Sequence, residues 1–123
     1  MEKLSTKIDI SEKDKLLVIR LSGCVDHHTA RESREKIDSS IVRGRVRCVV
    51  LDLSDVEFMD SSGLGLILGR YVRVCDIGGN LILRGISADI MKIIRLAGIE
   101  KFIPIEKSGD IKNEKKSEKQ LQA

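Results

Sequence analysis

VRCVVLDL, Val46 to Leu53, followed at once by SDVEFMDSSG, Ser54 to Gly63, decides how this chain folds. The first stretch is a nearly continuous apolar run rich in valine, the pattern of a strand covered on both faces in the middle of a sheet. Beyond the second stretch, Leu64, Ile67, Leu68, Tyr71 and Cys75 recur at steps of three and four. That spacing predicts an amphipathic helix, which Gly78 and Gly79 terminate. A buried strand leading directly into a helix is the repeating unit of an α/β domain.

The flanking sequence extends the unit in both directions. Upstream, Lys3 to Ile10 alternates weakly and KLLVIRLS, Lys15 to Ser22, is rich in aliphatic residues. With SEKD between them as a turn, the two runs predict a hairpin whose second strand ends at Gly23. From Thr29 to Val42 the apolar positions Ala30, Ile37 and Ile41 lie at helical spacing among Arg, Glu and Lys, with Asp26 or Thr29 as candidate cap. Downstream, NLILRGI, Asn80 to Ile86, reads as another strand, and Ile90, Ile93, Ile94 and Ala97 as a helix closed by Gly98. Phe102 to Ile105 is a last strand-like patch. The order strand, strand, helix, strand, helix, strand, helix predicts an α/β domain with right-handed helical crossovers.

With 123 residues the chain has the size of one domain. Residues 1–105 carry the patterned sequence. Residues 106–123, EKSGDIKNEKKSEKQLQA, have almost no apolar side chains to offset ordering entropy and are expected to form a flexible charged tail. There is no tryptophan, one tyrosine and two phenylalanines. The core must therefore be aliphatic, and base-stacking platforms for single-stranded nucleic acid are nearly absent. A net charge of +3, with acidic and basic residues interleaved, gives no basic face for a phosphate backbone, so no direct nucleic-acid contact is expected. Cys24, Cys48 and Cys75 are widely spaced and odd in number, and read as small buried hydrophobes in a reducing cytoplasm. The N-terminus has no apolar signal core, and no window approaches the roughly 18 apolar residues that span a bilayer, so no membrane association is expected.

The candidate site is the junction Phe58-Met59-Asp60-Ser61-Ser62-Gly63-Leu64-Gly65, because α/β folds place their sites where strand ends meet helix starts. Asp60 or either serine would serve as a simple N-cap. Gly63 and Gly65 in the first helical turn each cost about 1 kcal/mol relative to alanine, which points to close approach of another backbone or a partner. Leu64 and Leu66 would then form an apolar contact patch beside the polar tip. Enzymatic readings fail on spacing. A serine-hydrolase elbow needs G-x-S-x-G, yet Met59 and Asp60 stand two residues before the serines. Gly63, Gly65 and Gly69 complete neither a P-loop nor a dinucleotide fingerprint. In the other polar cluster, Cys24-Val25-Asp26-His27-His28-Thr29, adjacent histidines point in different directions and no third exists, so a cap and surface role is expected, with no metal and no other cofactor.

FMDSSGLG (Phe58 to Gly65) and DHHTA (Asp26 to Ala30), within the longer runs DLSDVEFMDSSGLGLILGRY (Asp52 to Tyr71), LSGCVDHHTA (Leu21 to Ala30) and IGGNLIL (Ile77 to Leu83), resemble the anti-sigma-factor antagonists of the STAS domain family. DHHTA and LGRY (Leu68 to Tyr71) make the nearest likeness that to the sporulation-type antagonists, which release sigma factor F. Cys24 departs from the pattern, standing where a polar residue is expected. The likeness covers roughly Ile8 to Ile105. It implies a single STAS domain with a mixed sheet of four to five strands flanked by helices, and a regulator of sporulation-type transcription that is not an enzyme. Its partner would be an anti-sigma factor that is also a serine kinase and supplies ATP and Mg; the unphosphorylated antagonist binds it and frees the sigma factor. Phosphorylation on Ser61 would inactivate the antagonist, and a serine phosphatase would restore it. The residues by themselves do not choose between Ser61 and Ser62. Asp26, His27, Asp60, Ser61, Ser62, Gly63, Leu64 and Gly65 are the expected partner-binding residues. Asp60 would cap the helix or orient Ser61.

A phosphate adds about −1.5 to −2 charges. At a helix start it meets N–H groups and a favourable dipole, so the fold should tolerate it and the effect should fall on binding. Two other readings stay open at this stage. One is a STAS scaffold or ligand-sensing module in which Ser61 is only a cap. The other is an enzyme using Asp26 and His27 with Ser61.

Overall fold

The structure, a computed structural model, describes residues 7–44 and 46–106, with side chains from residue 13 onward. Its elements are β1 (Lys7–Lys13), β2 (Leu16–Val25), α1 (His27–Gly44), β3 (Cys48–Met59), α2 (Ser61–Asp76), β4 (Asn80–Arg84) and α3 (Ala88–Leu96), followed by a 3₁₀ turn at Ile99–Lys101. The four strands lie in the order β1-β2-β3-β4. β1 is antiparallel to β2, whereas β2, β3 and β4 are parallel. The mixed α/β fold expected from the sequence is the fold observed. Of the expected tail, 106–123, residues 107–123 lie outside the described residues, while Glu106 is held by β4, its N–H donating to Leu83 O at 2.7 Å.

Alternation along the strands builds the core. Leu17, Ile19 and Leu21 of β2 and Val49, Leu51 and Leu53 of β3 are fully buried and share one cluster with Ile37 and Ile41 of α1, Ile67 and Val74 of α2, and Ile90 and Ile94 of α3. Each such side chain contributes on the order of 1.5–3 kcal/mol by leaving water. Leu16, Cys48 and Val50 form a second, smaller cluster. A buried ion pair fixes one end of it all: Arg84 Nε meets Asp52 Oδ2 at 3.2 Å with both side chains almost wholly inaccessible.

Several expectations are corrected. The hairpin turn is not SEKD: β1 runs on through Ser11, Glu12 and Lys13, and the turn is Asp14-Lys15, both in the left-handed region at φ 54° and 68°. Main-chain pairing on an edge strand does not require apolar side chains, so the polar run was no obstacle. Residues 3–6 of the expected first strand lie outside the described residues. Gly23 does not end β2. It adopts φ 86° inside the strand, where the pairing with β3 slips, and β2 continues to Val25.

β3 is also longer than VRCVVLDL, continuing to Met59. Two register slips against β2 each place an extra residue on β3, so Ser54-Asp55 and Glu57-Phe58 face outward while Val56 and Met59 stay buried. Bulges break the period-two signal, so the strand pattern of VRCVVLDL could not be followed into this segment. In α2 the buried face is Gly63, Leu66, Ile67, Arg70 and Val74, so of the expected stripe Leu64, Ile67, Leu68, Tyr71 and Cys75 only Ile67 is buried. Leu64, Leu68 and Tyr71 only flank the core and Cys75 is exposed. The helix is rotated because Arg70, 6% exposed, pairs with Asp38 of α1 at 2.9 Å and takes an inward position that polarity alone would have assigned to solvent. Leu66, expected near the surface, is therefore core. Phe102 to Ile105 forms a single parallel bridge, Leu83 with Ile105, in place of a strand. Ala97 caps α3 at the surface. Of the cysteines only Cys48 is buried, which pushes its thiol pKa up to about 11, while Cys24 is half-buried.

Candidate functional site

Val25 and Met59 are paired neighbours at the ends of the parallel strands β2 and β3. Each is followed by one aspartate and then a helix, so α1 and α2 start side by side at one pole of the sheet. Asp60 N donates to Val25 O at 3.3 Å, tying the two strand ends together. This juxtaposition unites the two motifs that stand 34 positions apart in the chain as Asp26 and Asp60.

At α2, Asp60 is the N-cap, extended at φ −107° and ψ −167°, with Oδ1 accepting from Ser62 N at 2.8 Å. Asp60 O accepts from Gly63 N at 3.0 Å and Leu64 N at 3.3 Å. Ser61 is the first helical residue and is exposed, whereas Ser62 is half-buried. Among the described residues neither the N–H nor the hydroxyl of Ser61 has a hydrogen-bond partner. Gly63 is buried, and a methyl group there would overlap Met59 Cγ and come within 3.2 Å of Val25 Cγ1. Its smallness serves the domain's own packing: of the close approach expected there, the part the structure describes comes from the Met59 and Val25 side chains. Gly65 has open space around its Cα and is exposed, and Leu64 beside it is half-exposed.

At α1, Asp26 Oδ1 accepts from Thr29 N at 3.0 Å, and Asp26 N donates to Thr29 Oγ1 at 3.0 Å. The Thr29 hydroxyl donates to Cys24 O at 3.0 Å. The N–H of Thr29, reinforced by its hydroxyl, holds the Asp26 carboxyl below the usual range. So Asp26, not Thr29, is the cap, and its carboxylate is engaged by Thr29. No hydrogen bond joins it to His27 among the described residues, and no acid–base relay to Ser61 exists there. His27 and His28 are exposed, His28 lying 3.9 Å from Glu32. No group of three His, Cys, Asp or Glu side chains able to hold a metal occurs among the described residues.

Phe58 was missed as a separate contact residue. It is 51% exposed at the same pole, next to half-buried Cys24 on β2. Only the β3 bulges reveal that it faces outward while Met59 faces in. Asp52, by contrast, belongs to the scaffold: burial works to raise its pKa, but the Ser54 hydroxyl and N–H and the Arg84 guanidinium outweigh this and hold it low.

Two aspartate-capped helix starts thus stand side by side at this pole, the second carrying an exposed serine at its first position. A family model for the STAS domain matches residues 7–110, and the chain belongs to that family. The anti-sigma F factor antagonist of Paenibacillus polymyxa is 35% identical over 102 residues, covering 83% of this chain and 87% of that protein. The solved structure of the anti-sigma factor antagonist SpoIIAA in its unphosphorylated form superposes with a TM-score of 0.72 at 26% identity, covering 93% of this chain and 98% of that one. That of the Bacillus cell fate determinant SpoIIAA in the phosphorylated form gives 0.68 at 28% identity, covering 88% and 98%. Within the STAS family this chain thus sits among the anti-sigma-factor antagonists, which are regulatory binding proteins and not enzymes. No helix among the described residues is long and apolar enough to cross a membrane.

Proposed function

We propose that this chain is a cytoplasmic anti-sigma-factor antagonist of the sporulation type, controlled by phosphorylation of Ser61. Unphosphorylated, it binds an anti-sigma factor that is also a serine kinase, and the sigma factor is released. The kinase, supplying ATP and Mg²⁺, then transfers phosphate to Ser61, binding is lost, and a serine phosphatase resets the cycle. The observation that carries this reading is the exposure of Ser61 at the first position of α2, on the pole it shares with Asp26, His27, Leu64, Gly65 and Phe58.

Several features support it. The Ser61 hydroxyl stands free for transfer among the described residues, whereas Ser62 is half-buried and its N–H is committed to Asp60. Asp60 acts as cap here and so fixes where Ser61 projects. A phosphate at the helix start meets a favourable dipole, so the fold survives it. The similarity of this chain to SpoIIAA in both unphosphorylated and phosphorylated forms accords with a switch that leaves the fold unchanged. What changes is the interface: a dianion on Ser61, next to Asp60 in the chain, must be desolvated against the partner, and like charge at a contact costs several kcal/mol.

The test is capture from extract by the wild type, Ser61→Ala and Ser61→Asp, with bound proteins identified and phosphate mapped by mass spectrometry. Retention of a kinase-like anti-sigma factor by the first two alone, with phosphate on Ser61, is expected. Equal capture by all three and an unmodified Ser61 would overturn the switch.

A further inference from the structure

The opposite pole of the sheet carries a second concave surface. A groove of about 490 Å³ lies between the C-terminal ends of α1 and α2 and the β1–β2 turn. Ile41 and Val46 are buried beneath it, and Val42 and Ile77, 69% and 52% exposed, supply apolar flanks. Among the described residues its charged lining is cationic: Lys15, Arg47 and Arg73. Arg73 is shared with Asp38 at 3.2 Å, while Lys15 and Arg47 make no ion pair among the described residues. Basic residues in the last turn of a helix, such as Arg73, commonly answer the helix dipole. Lys15 and Arg47 lie outside both helices and have no such reason to be there.

Lys15 is informative for a second reason. It sits at φ 68° in a two-residue turn, a position that glycine or asparagine fills with less strain. Its carbonyl accepts from Arg47 N at 2.8 Å and Cys48 N at 3.3 Å, and Arg47 O in turn accepts from Asn80 N at 2.9 Å. The main chains of the two residues are thus tied together at the groove's edge, and both residues line it. The volume falls in the range of sites for one small ligand, roughly 300–1,000 Å³.

We propose that this groove binds a small amphiphilic monoanion, a medium-chain carboxylate by class, with its apolar chain on Ile41, Val46 and Ile77 and its head group on Lys15 and Arg47. The ten residues of β2, at about 3.3 Å each, separate the groove from Ser61 by about 30 Å, so a ligand here leaves the recognition pole uncovered. The site is therefore additional to the Ser61 surface and stands or falls without it.

The test is titration of the ¹⁵N-labelled full chain with decanoate, followed by amide shifts, beside decanol and vesicles of phosphatidylglycerol. Saturable shifts at Val42, Val46, Arg47 and Ile77 are expected, with decanoate at least fivefold tighter than decanol. Lys15→Asn should keep or raise the melting temperature while weakening decanoate at least fivefold, and Ile77→Glu should abolish its binding. Absence of saturation, equal affinity for decanol, or an unchanged affinity in Lys15→Asn would overturn the proposal. So would vesicle binding without decanoate shifts, which would make the pole a membrane-facing surface instead.

Discussion

The two helix starts at the recognition pole are near twins in sequence, strand-Asp-helix in each case, yet they are finished differently. At α1 the third helical residue is Thr29, which returns a hydrogen bond to Asp26 and closes the cap into a reciprocal box. At α2 the third helical residue is Gly63, which has no side chain to return, and Asp60 N turns to Val25 O of the neighbouring strand instead. The first start spends its polar groups on itself. The second leaves the Ser61 hydroxyl and N–H available. A cap that closes on itself is scaffold, and a cap left open beside an exposed serine is a place where a charge can be added without unfolding anything.

The largest expected effect separates the two starts by charge. Ser61→Asp should weaken binding to the anti-sigma partner at least 100-fold, about 2.7 kcal/mol, whereas His27→Asp, which puts the same charge at the first position of α1, should cost less than tenfold. Both substitutions sit favourably with a helix dipole, so melting temperatures should not fall. Equal losses by titration calorimetry would show that the pole reads net charge and that Ser61 has no special place. Next comes the packing difference within α2. Gly63→Ala forces Met59 and Val25 aside and should destabilise by about 1–3 kcal/mol. Gly65→Ala, with open space around it, should stabilise by roughly 0.5–1 kcal/mol while disturbing only partner binding. Chemical denaturation of the two variants with matched m-values checks this, and a stable Gly63→Ala protein would return that glycine to the interface.

The order of elements and the pairing of strand with helix were legible because aliphatic residues dominate them: Ala30, Ile37 and Ile41 fall on the buried face of α1 as their spacing requires. What stayed hidden was structure that breaks the period. The bulges in β3 turn Phe58 outward and hid the strand's continuation through SDVEFM. The buried Arg70–Asp38 pair rotates α2 against its hydrophobic stripe, and no single-chain pattern announces that an arginine will be buried when its partner lies on another helix. At the candidate site the motif DSSG was visible but not its openness, since the exposure of Ser61 relative to Ser62 depends on where the N-cap falls.

Smaller effects probe how closed the α1 cap is. Thr29 is 8% exposed and bridges Cys24 O, Asp26 N and the Asp26 carboxylate, so Thr29→Val should cost about 1 kcal/mol by denaturation. Partner affinity should stay within a factor of about two if α1 is scaffold. A large affinity loss at unchanged stability would place the cap itself in the interface.

The finest test is the proton equilibrium of Asp26. Its folded pKa lies below the ordinary carboxylate value, chiefly through the Thr29 N–H and then its hydroxyl. A depressed folded pKa contributes stability that is fully present above the unfolded pKa of about 3.9 and is lost as pH falls through the folded value. In carbon-detected titration the Asp26 carboxyl should therefore titrate below that of a model peptide. Thr29→Val removes the hydroxyl but keeps the N–H, so the shift should shrink without vanishing. A carboxyl that reverts completely would mean the hydroxyl, and not the helix's own N–H, holds the charge. The reciprocal box would then be a side-chain contact that happens to sit at a helix start, and the contrast with Asp60, whose Oδ1 relies on the Ser62 N–H, would rest on one hydroxyl group.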